Sequence, residues 1–165
     1  MTVKFNAEEV FTMAARVEQN GAVFYRRAAE RFTEEPLHGL LVRLAQMEDQ
    51  HEGTFERMRE RLFGEKADGS HAEYHDLAAA YLHALVDSKI FALHADPAED
   101  LAGVNTGAEL LEAAIDREKE AITFYIGIKE VVPAAWGRDA VDEIIREEMS
   151  HVTLLTDHLQ RLRGG

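Results

Sequence analysis

Cysteine is missing from all 165 residues. Its absence excludes disulfides, cysteine-ligated zinc, thiolate-held iron–sulfur clusters and thiol nucleophiles together. Proline is scarce, at three residues, and there is no low-complexity tract, so the composition gives no sign of extended disorder. No run of 18 apolar residues occurs, which leaves nothing to span a bilayer as a helix. The first residues, from Met1 to Glu9, hold no apolar stretch of the kind a secretion signal needs. The expected compartment is therefore the cytoplasm. Basic residues are few: 18 against 31 acidic, for a net charge of −13. A surface of that sign repels phosphate backbones and argues against a nucleic-acid partner. Most of these carboxylates are expected on a solvated surface, although the same field draws cations inward. Neither a glycine-rich phosphate loop nor a Gly-x-Ser-x-Gly elbow is present.

What the chain does have is helical periodicity. Its length suits one domain with a real core, and 46% of its residues are apolar against 30% charged. Val10, Ala14, Val17, Gly21, Tyr25, Ala28 and Phe32 recur at helical spacing, predicting a first helix over about 7–32. Asn6 and Glu9 resemble a capping box at its start. Thr33-Glu-Glu-Pro36 reads as a turn, with Pro36 opening a second helix that Gly64 stops. Leu37, Leu41, Leu44, Phe55, Met58 and Leu62 line that helix. Residues 65–105 form a crossover, with a helical pattern over about 71–91. Thr106 and Glu109 repeat the capping signal before a third helix over about 107–131, and a fourth follows over about 136–163. The expected fold is all-α: an antiparallel four-helix bundle made of hairpins 7–64 and 106–163, with a long helical crossover between helices 2 and 3. The whole of 1–165 reads as a single domain.

Six polar residues interrupt the apolar stripes. They are Glu18, Glu48 and His51 in the first half and Glu118, Glu148 and His151 in the second. Each member of the second set lies 100 positions after its counterpart. An unpartnered buried carboxylate costs several kcal/mol, so their inward placement needs a reason. Glu18 and Glu48 are nearly equidistant from the first turn, roughly 21–24 Å along the helices at 1.5 Å per residue. Glu118 and Glu148 stand in the same relation to the second turn, so all four can share one level. Glu48–His51 and Glu148–His151 are i, i+3 pairs on one helix face. Two Glu-x-x-His helices plus one Glu from each of two others form the ligand set of a carboxylate-bridged di-iron or di-manganese bundle. Four carboxylates and two neutral imidazoles offset two divalent cations, and the donor mixture suits Fe, Mn or Zn. Aligned at the offset of 100, residues 1–65 and 101–165 agree at 11 positions, and five of those are Glu18, Phe24, Tyr25, Glu48 and His51 with their partners. A third match, Glu35-Pro-Leu-His38, sits at a helix start and reads as chance.

At these positions the sequence resembles the rubrerythrin branch of the ferritin-like superfamily. The resemblance is carried by Glu18 to Ala29, Glu48-Asp-Gln-His51, Glu118 to Tyr125 and Glu148-Met-Ser-His151. It implies a ferritin-like fold with two Fe ions, bridged by Glu48 and Glu148. Glu18, Glu118, His51 and His151 would be terminal ligands. Tyr25 and Tyr125, the candidate catalytic residues, would donate hydrogen bonds to carboxylate ligands. The implied reaction is reduction of H2O2 or O2. Full-length rubrerythrins carry a cysteine-ligated rubredoxin domain that feeds electrons to the di-iron centre; without cysteine, this chain would need an external electron donor. Family members often carry a further Glu three residues from the helix 3 ligand, where this chain has Ala121 and, on the other side, Ile115.

Other readings stand beside that one: a ferroxidase that handles iron, a redox-silent zinc module, or a manganese catalase. His71 and His75 are spaced for a shared metal but lack an obvious third ligand. Glu52 and Glu147 neighbour ligand positions and are expected to point off the inward face into solvent. Trp136 is expected to pack. An apolar crossover helix suited to covering a second copy leads to the expectation of a homodimer.

Overall fold

A computed structural model describes residues 7–64, 80–82, 84–85, 96–97, 99–132 and 134–164. Four long helices carry the fold: α1 (Ala7–Arg31), α2 (Leu37–Gly64), α3 (Gly107–Val131) and α4 (Arg138–Gly164). No strand occurs among the described residues. The hairpins α1–α2 and α3–α4 pack as pairs and then against each other.

Each boundary has a local cause. Thr106 caps α3: its hydroxyl accepts from the Glu109 N–H at 3.2 Å, and the Glu109 carboxylate accepts from the Thr106 N–H at 3.1 Å. This reciprocal pair satisfies two donors that the first helical turn leaves free. Helix α2 starts at Leu37, one residue later than the sequence suggests, with the Pro36 carbonyl accepting from the Leu40 N–H at 3.2 Å. Helix α4 starts at Arg138 rather than Trp136. Ala134–Trp136 is instead a turn of 3-10 helix, and Gly137 follows with φ of 100°. A helix cannot run through that conformation, and glycine is the residue that adopts it cheaply. Trp136 packs, half-buried, against the core.

The core is two apolar clusters separated by a polar layer. The first gathers the end of α1 (Phe24, Tyr25, Ala28), the start of α2 (Leu41, Leu44), the start of α3 (Leu110, Leu111) and the end of α4 (Leu155). The second gathers the start of α1 (Val10, Phe11), the end of α2 (Phe55), the end of α3 (Phe124, Tyr125, Ile128) and the start of α4 (Val141, Ile144). Adding 100 to a residue number moves it from one cluster to the other: Phe11 to Leu111, Phe24 to Phe124, Leu41 to Val141, Phe55 to Leu155. A pseudo-two-fold axis across the bundle therefore exchanges the clusters. The same membership means that α2 and α3 start at the same end and run parallel, so the link between them must travel the length of the bundle.

Parts of that link are described. Residues 80–82 and 84–85 are helical, and Leu82 is buried in the second cluster. The Tyr81 hydroxyl donates to the Thr123 carbonyl at 3.1 Å. A methyl on Gly127 of α3 would lie 2.8 Å from side-chain atoms of both Tyr81 and Leu82, so glycine here lets the link lie close on α3. At the link's other end, Arg31 donates to the carbonyls of Leu101 and Val104, each at 2.6 Å, tying it to the end of α1. The Asn6 cap, the His71/His75 pair and most of the 71–91 helix expected in the link lie outside the described residues.

Candidate metal centre

The polar layer between the two clusters holds the six residues singled out by their spacing. All are buried, with relative exposures from 0% for Glu148 and His151 to 5% for Glu48. Helix α1 supplies Glu18, α2 supplies Glu48 and His51, α3 supplies Glu118, and α4 supplies Glu148 and His151. Helical periodicity turns each toward the axis, and the near-equal distances from the two turns bring them level.

They form two overlapping groups. Ligand atoms of Glu18, Glu48, His51 and Glu148 lie within 4.8 Å of one another, as do those of Glu48, Glu118, Glu148 and His151. Glu48 and Glu148 belong to both groups. Each group could hold a metal ion, and the shared carboxylates sit where bridges between two ions belong. His51 Nδ1 lies 2.8 Å from Glu148 Oε1 and 3.4 Å from Glu18 Oε2. His151 Nδ1 lies 2.9 Å from Glu148 Oε2, and 3.6 Å from both Glu48 Oε1 and Glu118 Oε1. The two oxygens of Glu148 thus face different imidazoles. The rings stack with centroids 5.8 Å apart and planes 19° from parallel.

The donor set fits cations better than it fits itself. Glu18 Oε2, Glu48 Oε1, His51 Nδ1 and Glu148 Oε1 are buried and have no well-aligned hydrogen bond among the described residues, His51 Nδ1 having only close approaches to Glu148 Oε1 and Glu18 Oε2. Donor atoms paired this poorly in one buried layer are expensive unless something else binds them. Convergent carboxylate oxygens and imidazole nitrogens are the donors that Fe, Mn or Zn accept.

Two tyrosines tie the hairpins together through this layer. The Tyr25 hydroxyl donates to Glu118 Oε1, and the Tyr125 hydroxyl donates to Glu18 Oε1. Each phenol lies one helix pair away from the carboxylate it holds. Burial, reinforced by the surrounding carboxylates, pushes both phenols well above their ordinary range, so both remain donors.

Without metal, the layer holds protons. Burial drives Glu48 well upward, and the neighbouring Glu18, Glu118 and Glu148 add to it. Burial likewise raises Glu18 and Glu148. Burial alone would lower the two imidazoles, but the adjacent carboxylates outweigh it, pushing His51 to about 11 and His151 to about 9. Burial acts upward on Glu118 too, but hydrogen bonds from His151, Glu148 and Tyr25 more than offset it, and its carboxyl sits low.

Two residues of the site escaped the sequence. Glu147 was expected in solvent. Its side chain is 44% exposed, yet it reaches across from α4 to place Oε2 2.5 Å from His51 Nε2. A glutamate on the rim of a helix is long enough to meet the neighbouring helix, which a face assignment ignores. Periodicity places Gly21 on the apolar stripe and says nothing more of it. A methyl there would lie 2.2 Å from Glu48 Oε2, so the bare backbone of α1 makes room for that carboxylate. Its sequence signal is the cost of a glycine in mid-helix, about 1 kcal/mol relative to alanine. Glu52 is half-buried beside Asp49 and Glu56, and burial raises its carboxyl. It belongs to neither ligand group. Glu35 and His38 stay apart from the layer: Glu35 accepts from the Gly39 N–H at 3.3 Å, and His38 Nδ1 lies 3.1 Å from the Ala29 carbonyl.

The site geometry makes two predictions. In Gly21→Ala the Glu48 carboxylate must move, while alanine favours the helix. The metal-free variant should melt within about 1 kcal/mol of wild type, yet bind Zn(II) about tenfold or more weakly by calorimetry. The second concerns pH. A group whose pKa rises on folding stabilises fully below its unfolded value and loses that contribution as pH climbs through its folded value. For His51 and His151 the loss begins near 6.5 and runs to about 11 and about 9, and Glu48, raised above 4.5, acts in the same direction. Scanning calorimetry of the metal-free protein should therefore show its melting temperature falling between pH 6.5 and 9. Zn(II), by replacing the protons, should abolish or reverse that fall.

The rubrerythrin family model matches residues 9–159, which include all six residues of the layer. The crystal structure of a ferritin-like diiron-carboxylate protein from Thermotoga maritima matches the fold with a TM-score of 0.71, covering 95% of this chain and 96% of that one at 24% identity. At that identity the likeness speaks for the fold, and it is the four-helix arrangement described above. No curated protein matches the chain. With the family model matching across most of its length, this chain belongs to the rubrerythrin family.

Proposed function

We propose that the chain is a non-haem di-iron oxidoreductase that reduces peroxide, with O2 as the slower oxidant. The observation that carries this reading is the pair of overlapping donor groups sharing Glu48 and Glu148. In this reading Glu48 and Glu148, common to both groups, would help to hold both ions. Glu18 and His51 complete one site, and Glu118 and His151 the other. An iron pair held there would supply two electrons for reductive cleavage of an O–O bond.

The chain's own residues prepare that step. Each half of the site offers a small donor set, which leaves room for an oxidant. Tyr25 and Tyr125 hold Glu118 and Glu18 in place across the bundle, so that neither terminal carboxylate swings away when charge at the centre changes. The clusters on either side, with Phe24, Phe55, Leu111 and Phe124 fully buried, keep bulk water out. Electrons are supplied by an external donor, and two copies of the chain associate as a homodimer.

The test is anaerobic loading with Fe(II), followed by stopped-flow absorbance on mixing with H2O2 or with O2. Two irons per chain, oxidised faster by H2O2, is the expected result. Tyr25→Phe and Tyr125→Phe should slow the oxidation about tenfold or more while retaining iron, and Glu48→Ala should lose the spectral change altogether. Preference for O2 with uptake continuing past two irons per chain would replace this reading with a ferroxidase. A wild type that binds metal but shows no redox change would leave a zinc-type binding module.

A further inference from the structure

The two half-sites match in ligands but not in what stands behind them. Both imidazoles turn Nδ1 toward the carboxylates, which leaves Nε2 facing away from the centre. Behind His51, Nε2 meets Glu147 Oε2 at 2.5 Å. The position that the 100-residue offset pairs with Glu147 is Met47 on α2. Met47 and Glu147 are alike in being half-buried, and their neighbours from 44 to 51 and 144 to 151 repeat the same order of buried and exposed positions. The difference between them is therefore chemical rather than positional. A thioether is a weak acceptor, whereas a carboxylate accepts strongly from an imidazole N–H. His151 Nε2 is buried with no hydrogen-bond partner among the described residues.

We propose that Glu147 is a positioning residue that makes the centre asymmetric. By accepting from Nε2–H it fixes His51 as an Nδ1 ligand and increases the basicity of that nitrogen, so the Glu18–His51 half takes up a divalent ion first and holds it more tightly than the Glu118–His151 half. An imidazole that donates its outer N–H to a carboxylate is locked in one tautomer and one orientation, and it gives more electron density to the metal. Among the described residues His151 has no such support, so its ion is the more labile of the two. Glu147 is also the half-exposed end of a two-residue connection, through the buried His51, from solvent to the metal layer. The inference rests on the metal-pair reading above, and its test separates the two.

Metal-free full-length protein is titrated with Co(II), a redox-stable stand-in for Fe(II), by calorimetry and by visible ligand-field absorbance. Wild type is expected to bind two ions per chain in two separated steps with distinct spectra. Glu147→Gln keeps the shape but removes the charge. It should weaken the first step about 10–100-fold, alter that step's spectrum and leave the second step in place. Met47→Glu supplies the missing carboxylate and should tighten the second step, drawing the two together. Melting temperatures of the metal-free variants establish that each folds. Two ions bound with equal affinity in wild type, or a first step unmoved in affinity and spectrum by Glu147→Gln, would overturn the asymmetry while leaving the metal pair intact. Failure of wild type to bind two Co(II) ions would overturn the pair and the asymmetry with it.

Discussion

Four carboxylates and two imidazoles share one buried layer, and the rest of the structure answers to that constraint. Like charges this close in a low-dielectric interior cannot all ionise without compensation. Protons supply the compensation in the metal-free chain, which is why Glu48 and both imidazoles sit above their ordinary ranges. Divalent cations would supply it better, because the carboxylate oxygens and imidazole nitrogens already converge. The apolar clusters above and below bury the layer and hold the four helices around it. Stability and metal affinity thus bear on the same residues: the layer costs folding free energy until cations neutralise it.

The near-two-fold repeat explains how a short chain builds such a site. One Glu on one helix and a Glu-x-x-His on the next give half of a centre, and a second copy of the pattern gives the other half. The tyrosines couple the halves, because Tyr25 serves the carboxylate of the second hairpin and Tyr125 that of the first. Departures from the symmetry carry the individuality. Gly21 admits the Glu48 carboxylate where its partner position has Ala121, and Glu147 supports an imidazole where its partner position has Met47.

Much of this was legible in the sequence, for reasons that the structure makes clear. Core-facing positions on a straight helix follow one period, so Glu18, Glu48 and their partners declared themselves as polar residues on an apolar stripe. Their equal distance from the turns fixed the level. The capping pair Thr106–Glu109 is a local arrangement, and it was read as such. Glu147 was missed because a long side chain on the rim of a helix can serve either solvent or a neighbouring helix, and only the packing of α2 against α4 decides which. Gly21 was missed because its role is an absence of atoms beside a residue 27 positions away, for which no periodicity speaks. The start of α4 was misplaced by two residues because a positive φ at Gly137 is a backbone choice that glycine permits but does not announce.

The claim beneath the rest is that one layer of this bundle holds two metal ions side by side. Anomalous diffraction at the iron edge from crystals of the Fe(II)-loaded protein tests it most directly. The expected map has two peaks roughly 3.5–4 Å apart, both between Glu48 and Glu148, one beside Nδ1 of His51 and the other beside Nδ1 of His151. A single peak in the layer, or iron bound only at surface carboxylates, would contradict it.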